Sequence, residues 1–210
     1  LHPRVRRQRQ MCIRDSSILP PCDRRLLHIG RLVKWKRVDL LIEAFRKVAA
    51  DYPEAELVIV GDGPELDNLR QQANDLQLTD SIRFIGAVYD PKTLGAYMNE
   101  SSIYVLAGMG GLSINDAMTY GMPVLCAVCD STERDLVMEG KNGYFFKDGD
   151  ADSLADRIRE MFESPERCKE MGKESERMIR ENINMETVSE RYLKAFQEIL
   201  RLTHSCDSDN

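Results

Sequence analysis

Short apolar runs alternate with helically spaced apolar positions along most of this chain. Leu26–Ile29, Leu57–Val60, Ile82–Ile85, Ile103–Leu106, Val124–Cys126 and Tyr144–Phe146 read as strands of about four residues. Several are apolar at every position, the pattern of strands covered on both faces of a parallel sheet. Between them Val38, Leu41, Ile42, Phe45, Val48 and Ala49 recur at helical spacing, and so do Leu66, Leu69, Ala73 and Leu76. Leu154, Ile158, Met161 and Phe162 repeat the pattern after the capping candidates Asp150 and Ser153. Strand-then-helix alternation implies right-handed crossovers, so the fold expected is α/β: a doubly wound parallel sheet of about six strands, followed by C-terminal helices. From about Pro165 the pattern is all helix. Val188, Tyr192, Phe196, Ile199 and Leu200 form a stripe on the last helix that must cover a surface, either of this domain or of another.

Charge divides the chain unevenly. Residues 1–25 hold seven arginines against Asp15 and Asp23, which leaves 22 basic and 33 acidic residues for the rest. An acidic body argues against a nucleic-acid partner, while leaving room for a local cationic pocket. The basic start is set aside on other grounds: residues 6–16, RRQRQMCIRDS, resemble the translation of a sequencing-library adaptor. Residues 1–16 are therefore expected to be an artefactual leader, 17–204 a single domain and 205–210 a frayed end. No run approaches the ~20 apolar residues of a membrane span, and no secretory signal is visible. The six cysteines, at 12, 22, 126, 129, 168 and 206, lack the spacing of a disulfide framework, which suits the reducing cytoplasm.

Two segments carry the chemistry. Gly30-Arg31-Leu32 with Lys36 follows the first strand, and Gly110-Gly111-Leu112 with Asp116-Ala117-Met118 follows the fourth. Ligands of doubly wound sheets bind beyond the C-terminal strand ends, where both segments fall. Arg31 and Lys36 offer cations to a diphosphate, and the paired glycines open a helix whose free N–H groups favour the same anion. That combination points to a nucleotide or sugar nucleotide. Gly61-Asp62-Gly63-Pro64 is a strand-to-helix turn that either contacts ligand or merely turns. It fails the dinucleotide fingerprint G-x-G-x-x-G because position 66 is Leu. Cys126-x-x-Cys129 lacks a second metal-binding pair and reads as two buried thiols at a strand end. His28, inside a strand, reads as a core or sheet-edge histidine. Glu133 reads as a helix-start residue.

GRLVKWKRVDLLIEAF (30–45), VIVGDGPELDNLR (58–70), IRFIGAV (82–88), GGLSINDAMTYGMPVL (110–125) and EGKNGYFFKDGDADSLADRI (139–158) resemble, in order, the donor-binding C-terminal half of glycosyltransferase family 4, of the GT-B fold. The resemblance implies a Rossmann-like domain whose acceptor-binding N-terminal half is missing. It implies that Arg31 and Lys36 bind the donor diphosphate as catalytic cations. Donor-binding roles fall to Gly30, to Gly110, Gly111 and Leu112 through backbone N–H groups, to Asp116 at the ribose hydroxyls and to Gly86 beside the base. Two departures stand out. Relatives carry two glutamates with seven residues between them where this chain has Gly108 and Asp116, and a glycine where it has Arg37.

The function implied is that of the donor half of a retaining glycosyltransferase. It would move a hexose from a nucleoside-diphosphate sugar to a glycan or lipid-linked acceptor at the cytoplasmic face of a membrane, with peripheral association of the full-length protein. No metal or other cofactor is implied, nor a nucleic-acid partner. The fragment alone is expected to be inactive. The alternative is a degenerate, non-catalytic nucleotide-binding or assembly module, motivated by Gly108 and Arg37.

Overall fold

The computed structural model describes residues 18–206 apart from 21, 111 and 130; the leader, Cys12 and 207–210 lie outside the described residues. Six strands, β1 (Arg25–Ile29), β2 (Glu56–Val60), β3 (Ile82–Gly86), β4 (Ile103–Leu106), β5 (Val124–Ala127) and β6 (Gly143–Phe146), form one sheet in the order β3-β2-β1-β4-β5-β6. Every pairing is parallel. The expected strands are all present, each within a residue or so of its expected bounds, because fully buried runs such as Val58–Val60 and Ile103–Leu106 have solvent on neither face.

The helices are α1 (Val38–Asp51), α2 (Leu66–Asp75), α3 (Pro91–Asn99), α4 (Ser113–Thr119), α5 (Thr132–Leu136), α6 (Ala151–Glu163), α7 (Pro165–Asn182) and α8 (Met185–Cys206). On one face of the sheet, α1, α2 and α6 bury Leu41, Phe45, Leu69, Leu154 and Ile158 against Leu26, Leu57, Ile59 and Val105. On the other, α3, α4 and part of α7 bury Met98, Ala117, Met118 and Met178 against Leu27, Val58, Tyr104 and Leu106. Asp150 caps α6 as its sequence suggests, accepting from the N–H groups of Asp152 and Ser153. Ser153 instead receives the Lys147 N–H on its hydroxyl.

Helix α3 has no counterpart among the expected elements. Gly95 interrupts its apolar stripe, and the reason is a close approach: a Cβ there would lie 2.4 Å from the Tyr120 hydroxyl oxygen. Helix α8 runs through Cys206, past the expected start of the frayed end. Of its stripe, Val188 is half-buried while Tyr192, Phe196 and Ile199 are more than half exposed, as is neighbouring Leu193; the Leu200 side chain is outside the described set.

The strand order places a reversal between β1 and β4. From β1 the chain builds outward to β2 and β3, returns to β4, and builds the other way to β5 and β6. Side chains and loops after β1 and β4 therefore border the crevice where such sheets hold ligands.

Candidate functional site

The site is built by loops leaving β1, β2, β3 and β4 at their C-terminal ends. After β1, Gly30 through Val33 lead into a single 3-10 turn, Lys34–Lys36, which ends on Arg37 at φ 50 and ψ 39. This left-handed conformation is the one that favours glycine, and it directs the chain into α1. After β2, Gly61 and Gly63 are required by packing: a Cβ would lie 1.9 Å from the Gly30 carbonyl oxygen at Gly61 and 2.2 Å from the Leu32 carbonyl oxygen at Gly63. These two glycines lock the second loop to the first, and both also line the cleft.

That cleft, about 530 Å³, is bounded by Gly30 and Arg31, by Gly61 to Gly63, and by Ala87 to Tyr89 after β3. The exposed Arg31 borders it. Gly86, at φ 86, ends β3 and accepts a hydrogen bond from the Gly61 N–H at 2.8 Å, so it shapes the wall rather than lining it. A second hollow, about 450 Å³, lies on the outer side of α1 and α2 among Glu43, Arg46, Asn68 and Gln71, with no strand end contributing.

Lys36 joins the two chemical segments. Its ammonium donates to the carbonyl oxygens of Met109 at 2.8 Å and Gly110 at 2.6 Å, some 74 residues away. The Met109 N–H in turn donates to the Trp35 carbonyl at 2.9 Å. Gly108 makes this apposition possible, because a Cβ there would stand 2.2 Å from the Trp35 carbonyl oxygen and 2.7 Å from the Lys36 carbonyl carbon. Trp35 itself is 58% exposed. Gly110 is less confined, since a Cβ there would lie 3.0 Å from Glu133 Oε1, a side-chain atom.

Gly111 lies outside the described residues. Leu112 stands at the N-cap position of α4 without a side-chain capping bond and is 80% exposed. The helix expected to greet the anion has seven residues, so its dipole is small and its first N–H groups are the relevant donors. Asp116, in the first turn and exposed, has its pKa raised by partial desolvation of the carboxylate. Glu133, expected at a helix start, does sit in the first turn of α5, but fully buried, and it accepts from the Cys129 N–H at 3.3 Å.

Two buried polar residues organise the crevice. The Tyr104 hydroxyl bridges the end of β1 and the start of α4, 3.3 Å from the Ile29 carbonyl and 2.7 Å from Ser113 Oγ. Burial pushes its pKa far up, so it stays a neutral donor. His28 is fully buried, with Nδ1 3.0 Å from the Val105 carbonyl oxygen. The signal for both was a polar ring inside an otherwise apolar strand. One expectation about the thiols is corrected: Cys126 is buried on β5, but β5 ends at Ala127, so Cys129 is exposed. Among the described residues no cluster of three or more His, Cys, Asp and Glu side chains is gathered that could hold a metal ion, and no helix is long and apolar enough to cross a membrane.

The architecture and the sequence both have known counterparts. N-acetyl-alpha-D-glucosaminyl L-malate synthase of Bacillus anthracis is 26% identical over 176 residues, covering 84% of this chain and 46% of that protein. Phosphatidyl-myo-inositol mannosyltransferase of Mycolicibacterium smegmatis is 30% identical over 194 residues, 88% of this chain and 48% of that protein. The chain thus spans about half the length of these relatives. Among solved structures, TarM of S. aureus in complex with Fondaparinux, alpha-GlcNAc-glycerol and UDP superposes with a TM-score of 0.77 at 24% identity, over 86% of this chain and 37% of that one, which is a likeness of fold. A model of the family described as glycosyl transferases group 1 matches residues 12–178, well over half of the chain, and the chain belongs to that family, with the Rossmann-like fold of GT-B glycosyltransferases.

Proposed function

We propose that this chain is the donor-binding half of a retaining glycosyltransferase, which moves a hexose from a nucleoside-diphosphate sugar to a glycan or lipid-linked acceptor. The observation that carries the reading is the placement of the Lys36 ammonium on the Met109–Gly110 loop, at the reversal of the sheet, with Arg31 bordering the adjoining cleft. Breaking the bond from the anomeric carbon leaves a nucleoside diphosphate that gains negative charge as it departs. Fixed cations at that place favour the transition state over the ground state and supply what a metal would otherwise supply. The base would rest between the loops after β2 and β3, beside Gly86. The ribose would meet Asp116, and the distal phosphate and sugar the backbone N–H groups of Gly110, Gly111 and Leu112.

The acceptor would bind a further half of the protein beyond this chain, so the chain alone should not turn over. The work would be done at the cytoplasmic face of a membrane. Titration calorimetry of residues 17–210 with UDP, GDP and ADP, in the presence of a chelator, tests the reading. Micromolar binding of one of them, weakened at least about 100-fold in the Arg31→Ala/Lys36→Ala variant, is expected from two charge-assisted contacts. Binding untouched by that double change would overturn it.

A second reading rests on Gly108. With no side chain where relatives hold a donor-sugar hydroxyl, the pocket would suit a non-catalytic nucleotide-binding or assembly module. Nucleotide binding without sugar transfer by the full-length protein would decide for it.

A further inference from the structure

We propose that His28 is a positioning residue for Lys36: its Nε2 lone pair receives a hydrogen bond from the Lys36 ammonium when a nucleoside diphosphate occupies the strand-end cleft. The inference rests on the donor-site reading above and adds a residue to it.

The protonation pattern of His28 follows from its partners. A carbonyl oxygen only accepts, so the 3.0 Å contact with Val105 places the ring proton on Nδ1. Burial, and next to it the positive charge of Lys36, pushes the imidazole pKa down to about 4, so the ring is neutral near pH 7. Nε2 is then a bare acceptor. It is completely buried and has no hydrogen-bond partner among the described residues. Buried polar atoms in that condition are rare, and each one calls for a ligand, a water or a moving partner.

The surroundings indicate which. His28 and Gly30 lie two apart on β1 and its extension, hence on the same side of the sheet. The point where a Gly30 side chain would begin is 3.5 Å from His28 Nε2 and 4.0 Å from Lys36 Cε. The position at Gly30 is thus within van der Waals reach of both the imidazole edge and the lysine stem, and the charge of Lys36 acts on His28. The backbone around Gly30 and Val105 is committed to the sheet and to Nδ1.

An ammonium has three donors. The Met109 and Gly110 carbonyls both accept from this one. A diphosphate would draw one donor towards itself, and holding the ammonium on it requires acceptors behind. A loop carbonyl and the Nε2 lone pair meet that need from opposite sides. A carboxylate in place of His28 would pair with Lys36 and cancel the charge meant for the phosphate. Neutral imidazole orients the ammonium and leaves its charge intact.

The experiment is nitrogen NMR of histidine-labelled chain with and without UDP, GDP or ADP, paired with calorimetry of the same samples. On saturation the Nε2 resonance of His28 should move from that of a bare acceptor to that of a hydrogen-bonded one, with Nδ1 still protonated. His28→Asn keeps a donor for Val105 but is too short to offer the distal acceptor, and should bind the nucleotide about tenfold more weakly, the size of one hydrogen bond to a charged group. His28→Gln places an acceptor one bond further out and should recover most of that loss. An unmoved or newly protonated Nε2 in nucleotide-saturated protein, or equal weakening by Asn and Gln, overturns the inference while leaving the donor site standing. Absence of binding by all three nucleotides overturns both.

Discussion

Replacing Gly108 by alanine tests whether the two chemical segments are joined through their backbones. Gly108 is outside the left-handed region of backbone space, so alanine meets no conformational strain of its own. By stiffening the unfolded chain it would, other things equal, stabilise by about 0.4–1 kcal/mol. Against that stands a Cβ only 2.2 Å from the Trp35 carbonyl oxygen and 2.9 Å from Lys36 Cα. Both neighbours are backbone and cannot swing away, so the two loops must part by about an ångström. Overpacking of that kind costs about 1–3 kcal/mol. The Met109 to Trp35 hydrogen bond at 2.9 Å goes with it, for about 1 kcal/mol more. The net destabilisation is about 1–3 kcal/mol. In a domain of this size that lowers the Tm by about 2–12 °C, measurable by differential scanning calorimetry. Gly30→Ala is the internal control, since its Cβ meets only ordinary contacts at 3.5 and 4.0 Å and no positive φ, and its Tm should hold or rise. A Gly108→Ala protein as stable as Gly30→Ala would refute the close apposition. The same geometry says that Gly108→Glu does not simply restore the carboxylate of relatives, because its first carbon already displaces the loop that Lys36 holds.

Two other perturbations have defined signs. Arg37→Gly should raise the Tm by about 1–4 °C in thermal denaturation: a left-handed non-glycine residue costs about 1–2 kcal/mol and the extra freedom of glycine in the unfolded chain returns about 0.4–1, leaving about 0.5–1 in favour of the variant, and a lowered Tm would contradict the left-handed conformation at φ 50. For His28, the folded pKa of about 4 lies below the unfolded value near 6.5, so the unfolded chain binds the extra proton between them and stability falls as pH drops through that window, by about 3 kcal/mol in all; urea titrations at pH 7 and 4.5 should show most of this loss in the native chain and a smaller one in His28→Asn, and equal losses would refute it.

The fold was legible because burial on both faces leaves a plain mark. A run such as Ile103-Tyr104-Val105-Leu106 has no polar face to offer water, and its regular alternation with amphipathic helices leaves few topologies. Helix α3 escaped that logic, although Asp90 and Pro91 signalled its start: Asp90 does accept from the Thr93 N–H at 2.9 Å. A glycine kept for contact with Tyr120 reads, in sequence, as a break. The expected burial of Cys129 rested on the usual apolar character of a free thiol, whereas β5 ends at Ala127 and leaves Cys129 in the loop beyond it, exposed. At the site, the residue types and their place at the strand ends were readable, but the partners were not. Nothing in the spacing of Lys36 and Met109 says that one donates to the other, and nothing in the position of His28 within its strand says that its ring nitrogen meets the Val105 carbonyl.

Those partners share a property that bears on the donor. Gly61, Gly63 and Gly108 each sit where a Cβ would strike backbone, at Gly30, Leu32 and Trp35 respectively, so the loops after β1, β2 and β4 meet main chain to main chain. Such contacts are insensitive to most side-chain changes and fail at these particular glycines. They also leave three glycines, Gly30, Gly61 and Gly63, in the wall of the cleft, so that main-chain groups there are open to a ligand beside the side chains of Arg31 and Asp62. Backbone groups hold a phosphate or a hydroxyl through position and distinguish poorly between similar sugars. Under the proposed function, donor choice in this chain would then rest on loop spacing more than on a dedicated side chain. Gly108→Ala, by opening that spacing, should alter the preference among nucleotide sugars in the full-length protein while leaving the need for Arg31 and Lys36 unchanged. Identical preferences in the variant and the native protein would place donor choice elsewhere.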